Sequence, residues 1–123
     1  MAKRVVLVVD DDVDTLELLQ ILVEDIVGVS AVAASDGQQA LLLFGELNPA
    51  MVILDIKMPG VDGLEVIKQL RSGPASRDVP IIALTASRKS CQEAMAAGCD
   101  DFVEKPFELD CLLDKIRNHL SIS

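Results

Sequence analysis

The stretch Val52-Ile-Leu-Asp-Ile-Lys-Met-Pro-Gly-Val-Asp-Gly63 decides the fold. Val52, Ile53 and Leu54 form the short unbroken apolar run of a strand covered on both faces, and Pro59, Gly60, Asp62 and Gly63 are turn formers. An acid, Asp55, therefore stands at the carboxyl end of a buried strand. Alone, such an acid reads equally well as a residue that closes the turn or as a reactive one.

Outward from this stretch, strand and helix signals alternate along the whole chain, which predicts an α/β fold. Residues 4–9 (RVVLVV) read as strand one, and Leu16, Leu19, Val23 and Ile26 recur at helical spacing up to a stop at Gly28. Residues 29–34 are a less apolar second strand, and Asp36 can cap a helix through Ala40, Leu43, Phe44 and Leu47. Strand three covers 50–55. Asp62 caps a third helix to about Arg71, and SGPASRDVP reads as a surface loop leading to strand four at Ile81–Leu84, which ends on Thr85. The fourth helix, from about Arg88 to Ala97, is Ala-rich and should pack lightly before stopping at Gly98. Residues 101–104 form a short fifth strand, after which Leu109, Leu112, Leu113, Ile116 and Leu120 trace an apolar stripe on a last helix.

Five strands with right-handed helical crossovers give a mostly parallel sheet with helices on both faces, and the common strand order is 2-1-3-4-5. That order makes the very apolar strand one central and the weaker strand two an edge. The 123 residues fit a single domain, 1–123. Its core must be aliphatic, because Phe44, Phe102 and Phe107 are the whole aromatic content. A net charge of −9, from 20 acids against 11 lysines and arginines, argues against direct binding to nucleic acid or an anionic membrane and suits a cation or a basic partner. Cys91, Cys99 and Cys111 have no metal-ligand spacing, so reduced thiols in the cytoplasm are expected. No apolar run is long enough for membrane insertion. His119 falls in the last turn of the last helix beside Arg117, where the helix dipole favours a cation.

In this topology ligands bind beyond the carboxyl ends of the strands, where strand order reverses. Strand one ends in Asp10, Asp11 and Asp12, strand three in Asp55, strand four in Thr85 and strand five in Lys105. Crowded carboxylates repel, and Mg²⁺, a hard ion that takes oxygen ligands and readily adds phosphate oxygens, relieves them. Phosphoryl transfer needs an in-line nucleophile, cations on the equatorial oxygens and a hydrogen-bond donor. Asp55 suits the nucleophile. Asp10 and Asp11, with the main-chain carbonyl of Lys57, suit the metal, and Thr85 and Lys105 suit the remaining oxygens.

The stretches VLVVDDD (Val6–Asp12), VILDIKMPGVDGLE (Val52–Glu65), ALTAS (Ala83–Ser87) and FVEKPF (Phe102–Phe107) together resemble a receiver domain of two-component signalling, the type typified by the chemotaxis response regulator. The resemblance implies a flavodoxin-like (βα)5 fold. It also implies that Asp55 accepts a phosphoryl group from a phosphohistidine on a histidine kinase or histidine phosphotransfer protein, with Mg²⁺ held by Asp10, Asp11, Asp55 and the Lys57 carbonyl. Thr85 and Phe102 would then act as switch residues, and the surface of helix four, strand five and helix five would change to control a downstream partner. Such a chain catalyses only its own phosphoryl transfer and slow dephosphorylation and is not otherwise an enzyme. Lys57 and Ser87 fall at positions that tune phosphoryl lifetime in that family, and the Lys105–Pro106 bond is expected to be cis. Phe102 lacks the hydroxyl that tyrosine would bring there.

Two other readings use the same acids. A phosphohydrolase of the haloacid-dehalogenase type would take Asp10, Asp12, Thr85 and Lys105, but the later acidic pair it needs has no strand left to sit on. A calcium loop starting at Asp10 fails at position six, Thr15, and position twelve, Ile21. The receiver could stand alone or belong to a hybrid histidine kinase or multidomain regulator.

Overall fold

Side chains alternate across each strand, and this alternation sorts the core into two layers. The computed structural model describes residues 4–74, 76 and 78–121. In chain order the elements are β1 (Val5–Val9), α1 (Val13–Ile21), which runs into a π-helical stretch (Leu22–Val27), β2 (Ser30–Ala34), α2 (Gly37–Leu47), β3 (Met51–Asp55), α3 (Gly63–Ser72), β4 (Ile81–Thr85), α4 (Arg88–Ala97), β5 (Asp101–Glu104) and α5 (Leu109–Leu120). The strands form one parallel sheet in the order β2-β1-β3-β4-β5. Leu7, Val9, Val52, Leu54, Ile81 and Ala83 pack with α2, α3 and α4 on one face. Val6, Val8, Met51, Ile53, Ile82 and Leu84 pack with α1 and α5 on the other.

The five-stranded flavodoxin-like fold and its order agree with the expectation, with one adjustment. The middle of the sheet belongs to β3, and β3 and β4 are buried along their whole length, whereas β1 is interior beside the half-covered edge β2. The caps Asp36 and Asp62 accept from the backbone N–H of Gln39 and Glu65, and Gly28 and Gly98 end their helices in the left-handed region. The Lys105–Pro106 bond is cis.

The apolar pattern misleads at two places. Counting by 3.6 puts Ile26 on the buried stripe, yet it is 48% exposed. The π-helical turn, in which Gly28 N–H reaches back to the Val23 carbonyl at 2.9 Å, adds a residue per turn and brings Val27 to the core in its place. Leu109 opens α5 and stays 44% exposed, the stripe becoming buried only from Leu112. The loop SGPASRDVP lies on the surface only in part, since the Ser76 hydroxyl is buried and donates to the Leu70 carbonyl. Ala75 and Arg77 of that loop lie outside the described residues, as do the residues before Arg4 and after Ser121.

A link that no pattern announced closes the far end of this layer. Arg71, near the end of α3, donates to the carbonyls of Gly98 (2.7 Å), Val79 (2.8 Å) and Ser76 (3.3 Å) and pairs with Asp100 at 2.7 Å. Asp100 also accepts from the N–H of Ile81 at 2.8 Å. One side chain thus ties α3, the loop before β4 and the turn between α4 and β5. Arg71→Ala leaves several carbonyls without their donor and is expected to destabilise the chain by about 2–4 kcal/mol in urea denaturation. Arg71→Lys should recover less than half of that loss, because an ammonium cannot span a planar fork of acceptors.

Candidate functional site

The register of the sheet puts the site residues side by side. Val9 pairs with Leu54, so Asp10 and Asp55 leave adjacent strands together, and Asp55 pairs with Leu84, so Thr85 comes next on β4. Thr85 pairs with Glu104, which brings Lys105 to the same rim, its N–H donating to the Thr85 carbonyl at 2.6 Å. Carboxylate oxygens of Asp10, Asp11 and Asp55 lie within 4.8 Å of one another, Asp10 fully buried and Asp55 nearly so, with Asp11 exposed. Lys105 reaches between them, its Nζ 3.0 Å from Asp10 Oδ2 and 3.4 Å from Asp55 Oδ1.

Each acid is held differently. The Oδ1 atom of Asp10 accepts from the Asp12 N–H at 3.0 Å while its Oδ2 takes Lys105, so both oxygens are engaged. Asp12 does not join the cluster. Its Oδ2 accepts from the Thr15 hydroxyl at 2.6 Å and the Thr15 N–H at 3.3 Å, which caps α1 and lowers its pKa. Burial, and then the charge of Asp10, push the Asp55 carboxyl up from an ordinary 3.8 to about 6, against the pull of Lys105. Burial also works against the Lys105 ammonium, but its hydrogen bond to Asp10 and the field of Asp55 outweigh that, and its pKa is raised.

The turn that follows Asp55 is shaped by a close approach. The Gly63 N–H donates to the Ile56 carbonyl at 2.9 Å, and a Cβ on Gly63 would collide with the Asp55 carbonyl and the Ile56 backbone. Gly63, which the sequence marked only as a turn former, therefore lets α3 start directly against the strand end that carries Asp55. Lys57 is exposed on this turn and, with Met58, Asp62, Ser90 and Glu93 among others, lines an open hollow of about 520 Å³.

Three carboxylates and one ammonium leave two formal negative charges, which a divalent cation would balance. The donor set is oxygen only, as a hard cation such as Mg²⁺ prefers, and three side chains leave coordination positions for water and phosphate oxygens. Among the described residues these acids are a group that could hold a metal ion.

The structure thus brings Asp10, Asp11, Asp55 and Lys105 together. It puts Thr85 on the same rim, but the Thr85 hydroxyl finds its partner in the Cys91 thiol of α4 at 2.9 Å. Phe102 is half-buried against the α2–α4 layer and lines hollows that include none of Asp10, Asp11 and Asp55. His119 sits in the last turn of α5 as expected, and its Nε2 is 3.3 Å from Asp101 Oδ2, with Lys115 Nζ 2.7 Å from Oδ1 of the same acid. Cys91 falls within the expected fourth helix, with no role assigned by the sequence. Its spacing of three from Ala94, the other buried apolar residue of α4, was the available signal that it faces the sheet.

Residues 6–117 match the family model described as the response regulator receiver domain. A response regulator, MprA, from Mycolicibacterium vanbaalenii is 45% identical over 115 residues, which cover 91% of this chain and 48% of that protein. The chain spans about half the length of the curated relatives it matches. Among solved structures, the receiver domain of the Francisella response regulator 1452 superposes with a TM-score of 0.87 at 31% identity, covering 96% of this chain and 97% of the other. The chemotaxis protein CheY4 of Vibrio cholerae gives 0.86 at 29%, covering 95% and 98%.

Because the folded value for Asp55 lies above the unfolded one, the native chain holds an extra proton between about pH 4 and 6, so ionised Asp55 lowers stability at neutral pH. Stability from this group rises as pH falls through 6 toward 4. Asp55→Asn removes the repulsion and is expected to raise stability by roughly 1–2 kcal/mol at pH 7.5 without divalent cations. The gain should shrink by pH 5, as read from thermal melts in chelator at the two values.

Proposed function

Because the chain belongs to the response regulator receiver domain family, we propose that it is a phosphorylation-activated switch, with Asp55 as the phosphoacceptor. The observation that carries the assignment to Asp55 is the unequal engagement of the two neighbouring acids. Asp10 is fully buried with both oxygens bonded, whereas Asp55 keeps a slight opening to the rim and bonds less closely to Lys105.

In this reading a phosphohistidine on a histidine kinase or phosphotransfer protein presents its phosphoryl group to an Asp55 oxygen. The new O–P bond forms as the N–P bond to the imidazole breaks, and the imidazole leaves with the bond's electron pair. Lys105 Nζ, already between Asp10 and Asp55, turns its charge to a phosphoryl oxygen, and the Thr85 hydroxyl donates to another. Asp10, Asp11, Asp55 and the Lys57 carbonyl would hold Mg²⁺, which when bound neutralises the acids and the phosphoryl oxygens.

The added group brings about −1.5 to −2 charges and three strong acceptors to a rim where Lys105 is paired with the acids. Reorientation of Thr85 and Phe102 would carry the change to the face of α4, β5 and α5, where the buried side chains of α4, Ser90, Cys91 and Ala94, are small. A protein partner reads that face. The chain acts on no external substrate beyond its own phosphodonor, and its place is the cytoplasm, as either a free-standing receiver or a module of a longer regulator. Among the described residues no helix is long and apolar enough to cross a membrane, and the thiols of Cys91, Cys99 and Cys111 are free.

The commitment of Asp12 to capping α1 weighs against a haloacid-dehalogenase-type hydrolase, which would need Asp12 beside Asp10 in the site. Incubation with a small phosphodonor and Mg²⁺ should add one phosphoryl group, mapped by peptide mass spectrometry to Asp55. Asp55→Asn or chelator should abolish it, and Lys105→Ala should slow it by roughly 10²-fold, the scale of one electrostatic contact to a transition state. Phosphate on Asp10, or rapid multiple turnover, would contradict the assignment.

A further inference from the structure

The partner of the Thr85 hydroxyl lies on α4 and not among the acids. Thr85 Oγ1 and Cys91 Sγ are 2.9 Å apart, and both residues are buried. A thiol is a weak donor and a weak acceptor, whereas a phosphoryl oxygen is a strong acceptor. Threonine is restricted to staggered χ1 wells, so exchanging one partner for the other is a discrete step.

Cys91 also faces a second group of interest. With Met95 and Phe102 it lines a hollow of about 330 Å³ between α4 and β5, rimmed by Arg88 and Glu104. One thiol therefore touches the hydroxyl at the end of β4 and borders the space beside the half-buried ring of β5.

Resting on the reading of Asp55 as phosphoacceptor, we infer that Cys91 is a positioning residue that holds the Thr85 hydroxyl toward α4 in the unphosphorylated chain and thereby sets how readily Thr85 turns to the phosphoryl group. The thiol forms and breaks no covalent bond in this role. It acts as a competing hydrogen-bond partner that the phosphoryl oxygen must displace. Truncating it removes the competitor and should favour the phosphoryl-bound arrangement. Serine, which keeps a polar partner of similar size, should behave more like cysteine than alanine does.

The test is a titration of the full chain with beryllofluoride in Mg²⁺ as a phosphoryl mimic, across a cycle of wild type, Cys91→Ala, Thr85→Val and the double variant. Cys91→Ala is expected to tighten binding by about three- to tenfold, the range one net hydrogen bond supports. In the Thr85→Val background the same change should alter binding by less than about twofold, because the coupled group is gone. Equal effects in both backgrounds, or none in either, would overturn the inference, since a packing change at Cys91 acts whether or not Thr85 has a hydroxyl.

The Thr85 χ1 angle, read from methyl three-bond couplings in the mimic-free protein, provides a second measurement. It should sit in one well in wild type and in Cys91→Ser but average over two in Cys91→Ala. A single unchanged well in Cys91→Ala would overturn the inference. Wild type that fails to bind the mimic, as Asp55→Asn should, would count against Asp55 as phosphoacceptor, and the χ1 measurement would still decide the role of Cys91.

Discussion

Two carboxylates on adjacent strand ends, with one lysine between them, are the constraint on which the rest depends. The pairing of Val9 with Leu54 forces Asp10 and Asp55 into proximity, and the fully buried strand residues behind them leave little water to screen their repulsion. Lys105 offsets part of it from a third strand, at 3.0 and 3.4 Å. The balance is incomplete: burial, and then the charge of Asp10, keep the Asp55 carboxyl elevated against the pull of Lys105. A site so held has an unmet demand for positive charge, which in the proposed reading a divalent cation would meet.

The sheet behind the rim is rigid, and the element that faces the change is not built the same way. The strands β3 and β4 are buried end to end, fixing Asp55 and Thr85 at their tips. By contrast the buried side chains of α4 are small, a serine, a cysteine and an alanine, and its far end is fastened by Arg71 to the Gly98 carbonyl and to Asp100. A helix anchored at its end and loosely filled beneath can shift by small amounts without opening the core. In the proposed reading this contrast would let a change at the rim reach the α4–β5 surface without disturbing the fold.

Much of this was legible in the residues. Apolar runs at 5–9, 51–54 and 81–84, broken each time by an acid or a threonine, located both the strands and the site, because parallel strands end on one rim and ligands meet them there. Caps at Asp36 and Asp62 were legible for the same local reason, a side-chain acceptor before a helical pattern. The π-helical turn was not, since a periodic pattern assumes the very pitch that this turn changes, so Ile26 and Val27 exchanged roles. Nor were the reach of Arg71 across 27 residues to Gly98, the link from His119 to Asp101, or the contact of Thr85 with Cys91. Those depend on where long side chains and neighbouring helices meet in space, which spacing along the chain does not encode.

The central claim is that burial and the charge of Asp10, only partly offset by Lys105, hold the Asp55 carboxyl in a state that a cation would relax. A carbon-13 NMR titration of the Asp55 carboxyl, in chelator and then in saturating Mg²⁺, measures that directly. The account predicts a midpoint near 6 without the metal and a clear downward displacement with it. A midpoint near the ordinary 3.8 in chelator, unmoved by Mg²⁺, would contradict it.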